Sequence, residues 1–304
     1  MGTIDVFEAV QSSAVTRGVV PFENSTNGSV VNTLDLFCDR QGAFPDVNVC
    51  GEVYLDVHHD LLSRSDPGHS SSEPSHEAAV AAHLTPNLEY HNRFSNIRHI
   101  YSHPQAFGQC EVFLNLYLKH AERHDVSSTS KAAEVVSLDE TRTSAAISST
   151  VAAEEFELNI LAHEIEDRTN NTTRFLIIRK GNDWPELTTG NATLESSREV
   201  NNAASRYKSL LSFTTDHQSA GALADTLMVF KTHGLNLTSI NSRPTQVLPW
   251  HYIFFVEFEG SEWDDPDGAV RGAFKGLDQI AKDWRWFGSW RNQLDLGVTA
   301  SSEA

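Results

Sequence analysis

Cysteine is scarce in this chain, and the scarcity narrows its chemistry: Cys38, Cys50 and Cys110 lie far apart among 304 residues. An odd, scattered set with no C-x-x-C pair supports neither a disulfide framework nor a thiolate zinc site, and it suits a reducing compartment. Basic residues are also few, 23 against 41 acidic ones, giving a formal net charge of −18. A nucleic-acid binder needs a basic stripe to displace counterions from phosphates, so that class is excluded. Acidity of this size reads more simply as solubility. No apolar run approaches the ~20 residues of a membrane span. The opening residues carry Asp5 and Glu8 and lack the basic flank and apolar stretch of a signal peptide. A soluble, cytoplasmic protein of about two domains is expected.

What is present is an alternation of short apolar segments. Val6, Phe7 and Val10 have helical spacing, residues 18–22 form a strand interrupted at Pro21, residues 29–40 a helix and residues 49–57 a strand. Residues 63–96 turn to Ser, Pro, His and Asn and read as an inserted surface loop. Order returns with a strand at 97–101, a helix from Pro104 to about His120, a strand and helix over 125–138, a helix at 150–156 and a strand at 173–179. Strands alternating with helices imply a parallel α/β sheet that binds ligands at the carboxyl ends of its strands. Residues 181–205 are polar and read as a linker. The remainder has the order βαββαβ, a small antiparallel sheet with two helices on one side. Its strand at 252–259 puts Phe254 and Phe255 on opposite faces, an apolar surface on which two copies could pair.

Small hydroxyl and amide residues collect where apolar runs stop, in three places: Pro21-Phe22-Glu23-Asn24-Ser25 with Gly28, Ser102-His103-Pro104-Gln105 with Gln109, and Thr173-Arg174-Phe175. Strand ends and helix starts of this kind suit a small anion. Asn24, Ser25 and Ser102 also have a plainer use as helix caps. Ten of the 14 histidines fall between His58 and His124, yet none lies in the His-Glu-x-x-His pattern that a zinc hydrolase uses, so no metal site is expected.

The three stretches resemble, in order, the three signatures of the prephenate dehydratase family. The tail resembles an ACT regulatory domain, with Gly221-Ala222-Leu223 at its first helix and Asn241-Ser242-Arg243-Pro244 where the family has Glu-Ser-Arg-Pro. The resemblance implies a two-lobed, doubly wound α/β domain of the periplasmic-binding-protein kind over 1–180, a linker over 181–205 and an α+β ACT domain over 206–295. The strand, Gly-Pro-x-Gly-Thr loop and helix that open the family have no counterpart before Val6, so a form shortened at its start is expected.

The activity implied is conversion of prephenate to phenylpyruvate with loss of carbon dioxide and water, without a cofactor, in phenylalanine biosynthesis. Thr173 matches the threonine that supplies or positions the proton. Asn24, Ser25, Ser102, Gln109, Arg174 and Phe175 match pocket positions, Arg174 with its fork of donors for a carboxylate. Phenylalanine is the implied effector, bound by Gly221, Ala222, Leu223, Asn241, Ser242, Arg243 and Pro244 between paired ACT domains of a homodimer. The alternatives are an arogenate dehydratase, a form retaining only amino-acid binding, and a non-enzymatic two-lobed binding protein.

Overall fold

The computed structural model describes residues 2–64, 94–168, 170–181 and 207–294. The expected insertion and linker therefore lie almost wholly outside the described residues. In chain order the elements are α1 (Thr3–Gln11), β1 (Gly18–Asn24), β2 (Gly28–Ser29), α2 (Val31–Phe37), β3 (Val47–Asp56), β4 (Asp60–Ser63), β5 (His99–Ser102), α3 (Pro104–Gln109), α4 (Glu111–Tyr117) and β6 (Glu122–Asp125). There follow α5 (Thr129–Ser137), β7 (Ser144–Ser148), α6 (Thr150–Glu155), β8 (Asn159–Ala162), β9 (Thr172–Lys180), β10 (Tyr207–Thr214), α7 (Ala222–Thr232), β11 (Leu237–Pro244), β12 (Tyr252–Glu259), α8 (Ala269–Ile280) and β13 (Asp283–Arg291). Among the described residues no helix is long and apolar enough to cross a membrane.

The chain forms two compact units, residues 1–55 with 172–304, and residues 56–171. In the first, β1 lies antiparallel to β9, with Val20 opposite Leu176 and Pro21 opposite Phe175. Glu23 then faces Arg174 and Asn24 faces Thr173, so Phe22 is an extra residue, a β-bulge beside a proline that has no N–H for the ladder. Val20, Phe22, Leu176 and Ile178 turn inward to meet Phe7 and Val10 of α1 and Leu34 and Phe37 of α2.

The C-terminal part of this unit has the expected βαββαβ order and an antiparallel sheet, β11-β12-β10-β13. Leu211, Phe213, Val256 and Phe258 on one face bury Val229 and Phe230 of α7 and Val270 and Leu277 of α8. The two helices approach closely because α8 carries glycine at the contact: a Cβ on Gly276 would stand 2.7 Å from Val229, and one on Gly272 2.8 Å from His233. The opposite face, with Leu210, Phe255, Phe287 and Trp290, belongs to the same core as Phe7, Phe37 and Val49. Phe255, expected to offer surface to a second copy, is covered by its own chain instead.

The second unit is a five-stranded sheet, β6-β5-β7-β4-β8. β5 is parallel to β6 and β7, and β4 runs antiparallel to both β7 and β8, so β4 alone opposes a common direction. The wholly parallel sheet expected from the alternation is thus interrupted by one strand. The helix expected over 104–120 is also divided, at Cys110, whose φ of −120° and ψ of 23° leave the helical region. The carboxylate of Asp167 accepts the N–H groups of Glu111 and Val112 at 3.1 and 3.0 Å, so it caps α4 as a new start.

Candidate functional site

The first cluster of site residues is built by the β1–β9 pairing. Asn24 and Thr173 are register partners, and the Asn24 amide Nδ2 donates to the Thr173 hydroxyl oxygen at 3.0 Å. The Asn24 side-chain oxygen accepts the backbone N–H groups of Thr26 and Asn27 at 3.0 and 2.9 Å, which fixes the amide orientation. Ser25 is joined to Thr172 twice: its N–H donates to the Thr172 carbonyl, and its hydroxyl oxygen accepts the Thr172 N–H, both at 2.9 Å. With Asn24 donating to its oxygen, the proton of the Thr173 hydroxyl is directed elsewhere. Thr173 and Phe175 are half-buried, and Ser25 is exposed.

Arg174 is engaged differently from the expectation. Strand alternation turns it to the other face of β9, where it is 6 % exposed. Its Nε lies 3.0 Å from Glu52 Oε2, an ion pair not aligned as a hydrogen bond, and its Nη2 bonds the Glu257 carboxylate. Glu23, its register partner, stands 3.7 Å away, and the guanidinium lies over the Phe22 ring. Lys208 completes the group, 3.5 Å from Glu257 and 3.8 Å from Glu52, and donates to the Tyr54 hydroxyl. Burial pushes the guanidinium down, but Glu257 and then Glu52 push it up and prevail, so Arg174 stays charged. A guanidinium held by internal carboxylates is not available as the pocket cation that the sequence suggested.

In the second unit, Ser102 is fully buried and donates its hydroxyl to the Ile147 carbonyl at 2.8 Å, tying β5 to β7. Its expected hydrogen bond to a ligand is replaced by an internal one. Gln109 is half-buried, and its side-chain oxygen lies 2.6 Å from His59 Nε2. With that oxygen as acceptor, His59 carries its proton on Nε2 and the Gln109 amide keeps its N–H donors for another partner. Next to this pair, buried Glu166 binds His58 Nδ1 and the His59 N–H, each at 2.9 Å. Burial alone would lower the His58 pKa; the Glu166 hydrogen bond and charge reverse that and raise it. His58, His59 and Glu166 were not among the residues read from sequence, since their meeting spans more than a hundred positions.

The expected effector residues divide into two groups, both in the first unit. Gly221, Ala222 and Leu223 border a cavity of about 490 Å³ that Thr215, His217 and Phe254 also line. Gly221 has φ of 87° at the start of α7, a conformation that disfavours any side chain. Asn241, Arg243 and Pro244 turn to the N-terminal half. The Asn241 side-chain oxygen accepts from Ser29 at 2.6 Å, Arg243 forks onto Asp35 at 2.8 and 2.9 Å, and the Pro244 carbonyl accepts from Arg40. Ser242 sits between them on β11, opposite Phe254 of β12. Gly221 and the β11 residues therefore do not share one cavity wall in a single chain.

One cluster lies in the stretch where the sequence led to no expectation of a metal. His99, Glu122 and His124 bring three ligand atoms within 4.8 Å of one another.

A family model described as prephenate dehydratase matches residues 2–183. The bifunctional chorismate mutase/prephenate dehydratase of Aquifex aeolicus is 33 % identical over 290 residues, which are 95 % of this chain and 65 % of that protein. The prephenate dehydratase of Methanocaldococcus jannaschii is 32 % identical over 259 residues, covering 85 % of this chain and 76 % of the relative. Among solved structures, prephenate dehydratase from Arthrobacter aurescens in complex with L-Phe superposes with a TM-score of 0.72 at 25 % identity, covering 96 % of this chain and 80 % of that one.

Proposed function

The chain belongs to the prephenate dehydratase family, and from that premise we propose that it converts prephenate to phenylpyruvate in the cytoplasm, with Thr173 as the proton donor. The observation that carries the assignment is the Asn24–Thr173 hydrogen bond. Prephenate loses its ring carboxylate as carbon dioxide while the ring hydroxyl leaves with a proton as water, and the ring gains aromaticity. The electron pair released by decarboxylation drives out the hydroxyl, so the protein has only to hold the substrate and deliver one proton. A threonine hydroxyl is a weak acid. Asn24, donating into its oxygen, stabilises the negative charge that grows there as the proton departs.

With Arg174 neutralised internally, we assign recognition of a substrate carboxylate in the first unit to neutral donors, Asn24 and Ser25, with Phe175 as an apolar contact. Relatives named for prephenate without arogenate reach 35 % identity, whereas those named for arogenate stand at 28–30 %, which favours prephenate. Prephenate turnover by Thr173→Ala is expected to fall ~10²–10⁴-fold, and Thr173→Ser to retain most of it. Thr173→Ala turnover within about threefold of the parent would remove the assignment, and faster turnover of arogenate than of prephenate would change the substrate.

We further propose phenylalanine as an effector, bound at the Gly221 cavity, in a homodimer. The Arthrobacter relative was solved with L-Phe, and the exposed Val247, Leu248 and Trp250 after β11 give a second copy apolar surface to cover. Gly221→Val is expected to weaken phenylalanine binding in calorimetry by at least ~10-fold, because it both strains φ and fills the cavity mouth. Unchanged binding would move the effector elsewhere.

A further inference from the structure

His99, Glu122 and His124 lie on one face of a parallel strand pair. His99 of β5 faces Glu122 of β6, and Tyr101 faces His124, so the period of two places all four side chains together. Arg123, between Glu122 and His124, points the other way and is paired with Glu111 at 2.7 Å, which keeps the nearest cation off this face. The Tyr101 ring stacks on His124 with centroids 4.8 Å apart and an interplanar angle of 19°, fixing the imidazole.

The distances are those of co-ligation. His99 Nδ1 and His124 Nε2 are 3.0 Å apart, and Glu122 Oε2 lies 3.7 Å from the first and 3.8 Å from the second. The carboxylate is thus beyond hydrogen-bond range of both rings while converging on the same point. A position about 2.1 Å from all three atoms exists inside their triangle, which is the bond length of zinc to imidazole or carboxylate. A His–His hydrogen bond would account for the 3.0 Å contact and an ion pair for the approach of the acid; one shared metal accounts for both.

We propose that His99, Glu122 and His124 form a binding site for a divalent late transition metal of the zinc class. Two imidazoles and one carboxylate suit such ions, and three protein ligands leave a coordination position for water. The rings are partly exposed and Glu122 largely so, which makes the site exchangeable rather than closed. β6 is the edge strand of its sheet and only four residues long. The metal would clamp that edge onto β5, the strand that ends in Ser102.

Full-length protein titrated with Co²⁺ is expected to develop a visible ligand-field band at one equivalent, displaced by Zn²⁺. The doubly substituted His99→Gln, His124→Gln protein is expected to bind at least ~100-fold more weakly, since even outer partners of a metal site are worth about 10–100-fold. Glu122→Gln should weaken binding ~10-fold or more with both rings retained, and His163→Gln, elsewhere in the same unit, should leave it unchanged. Zn²⁺ should raise the melting temperature of the parent and not of the double variant, whose metal-free melting temperature reports an intact fold. An isotherm shared by the parent and the double variant, or no Co²⁺ or Zn²⁺ binding by the parent, would overturn the proposal.

Discussion

Two groups of charges join the N-terminal half of the first unit to its C-terminal sheet, and they use the same chemistry in different solvents. At the surface, Asp35 of α2 holds Arg40 and Arg243 at 2.8 Å, with the three side chains 16–31 % exposed. In the interior, Arg174 and Lys208 hold Glu52 and Glu257, with side chains 0–7 % exposed. The distances would not rank them. What separates them is the alternative open to each partner if the other is removed: water for Asp35, and an apolar interior for Glu52 and Glu257.

The sharpest way to break the comparison is Arg174→Met. It strands two buried carboxylates with Lys208 alone, and a loss of about 3–5 kcal/mol is expected in denaturant unfolding. Adding Glu257→Leu should recover much of that loss, because a cation and an acid are then removed together. A loss below about 1 kcal/mol for Arg174→Met would mean that water reaches the cluster.

At the surface, Asp35→Asn is expected to cost no more than about 1 kcal/mol, and salt near ~1 M should erase the difference between parent and variant. A difference that persists in salt would make this group resemble the buried one. The smallest effect is the pH dependence of the same residue. Burial pushes the Asp35 carboxyl up, but hydrogen bonds from Arg243 and Arg40 and their charges outweigh it, so its pKa is lowered on folding. Its contribution is therefore fully present above the unfolded pKa near 4 and fades as pH falls through the lower folded value. The melting-temperature gap between parent and Asp35→Asn should shrink in that acid window and stay constant above it.

The contrast also marks what could be read in advance. Elements with a clear period or order were legible: the helical spacing of Val6, Phe7 and Val10, the strand read over residues 49–57 and the βαββαβ order. β7 was missed because Ser-Ala-Ala-Ile-Ser is buried at all five positions and so has no alternation to detect. The division at Cys110 depends on a carboxylate 57 positions later, and the reversed direction of β4 depends on pairing that no local pattern encodes. In the site, the Asn24 and Thr173 stretches could be named, but which neighbour of Thr173 faces outward could not. Arg174 resembled a ligand cation because its partners Glu52 and Glu257 come from two distant strands. His99, Glu122 and His124 lack helical metal-ligand spacing, yet cross-strand register makes them neighbours.

The extra residue at Phe22 has a consequence for the chemistry. If β1 paired with β9 without it, the ladder would continue from Pro21 and Phe175 to set Phe22 against Arg174 and Glu23 against Thr173. The hydroxyl proposed to give up a proton would then face a carboxylate, an acceptor that competes for that proton and repels an anionic substrate. The bulge moves the acid one place along, where it meets a cation, and delivers a neutral amide to the threonine in its stead. A single extra residue in this strand thus sorts charge from catalysis, since pairing Phe22 in register would exchange the two partners without altering either motif's composition.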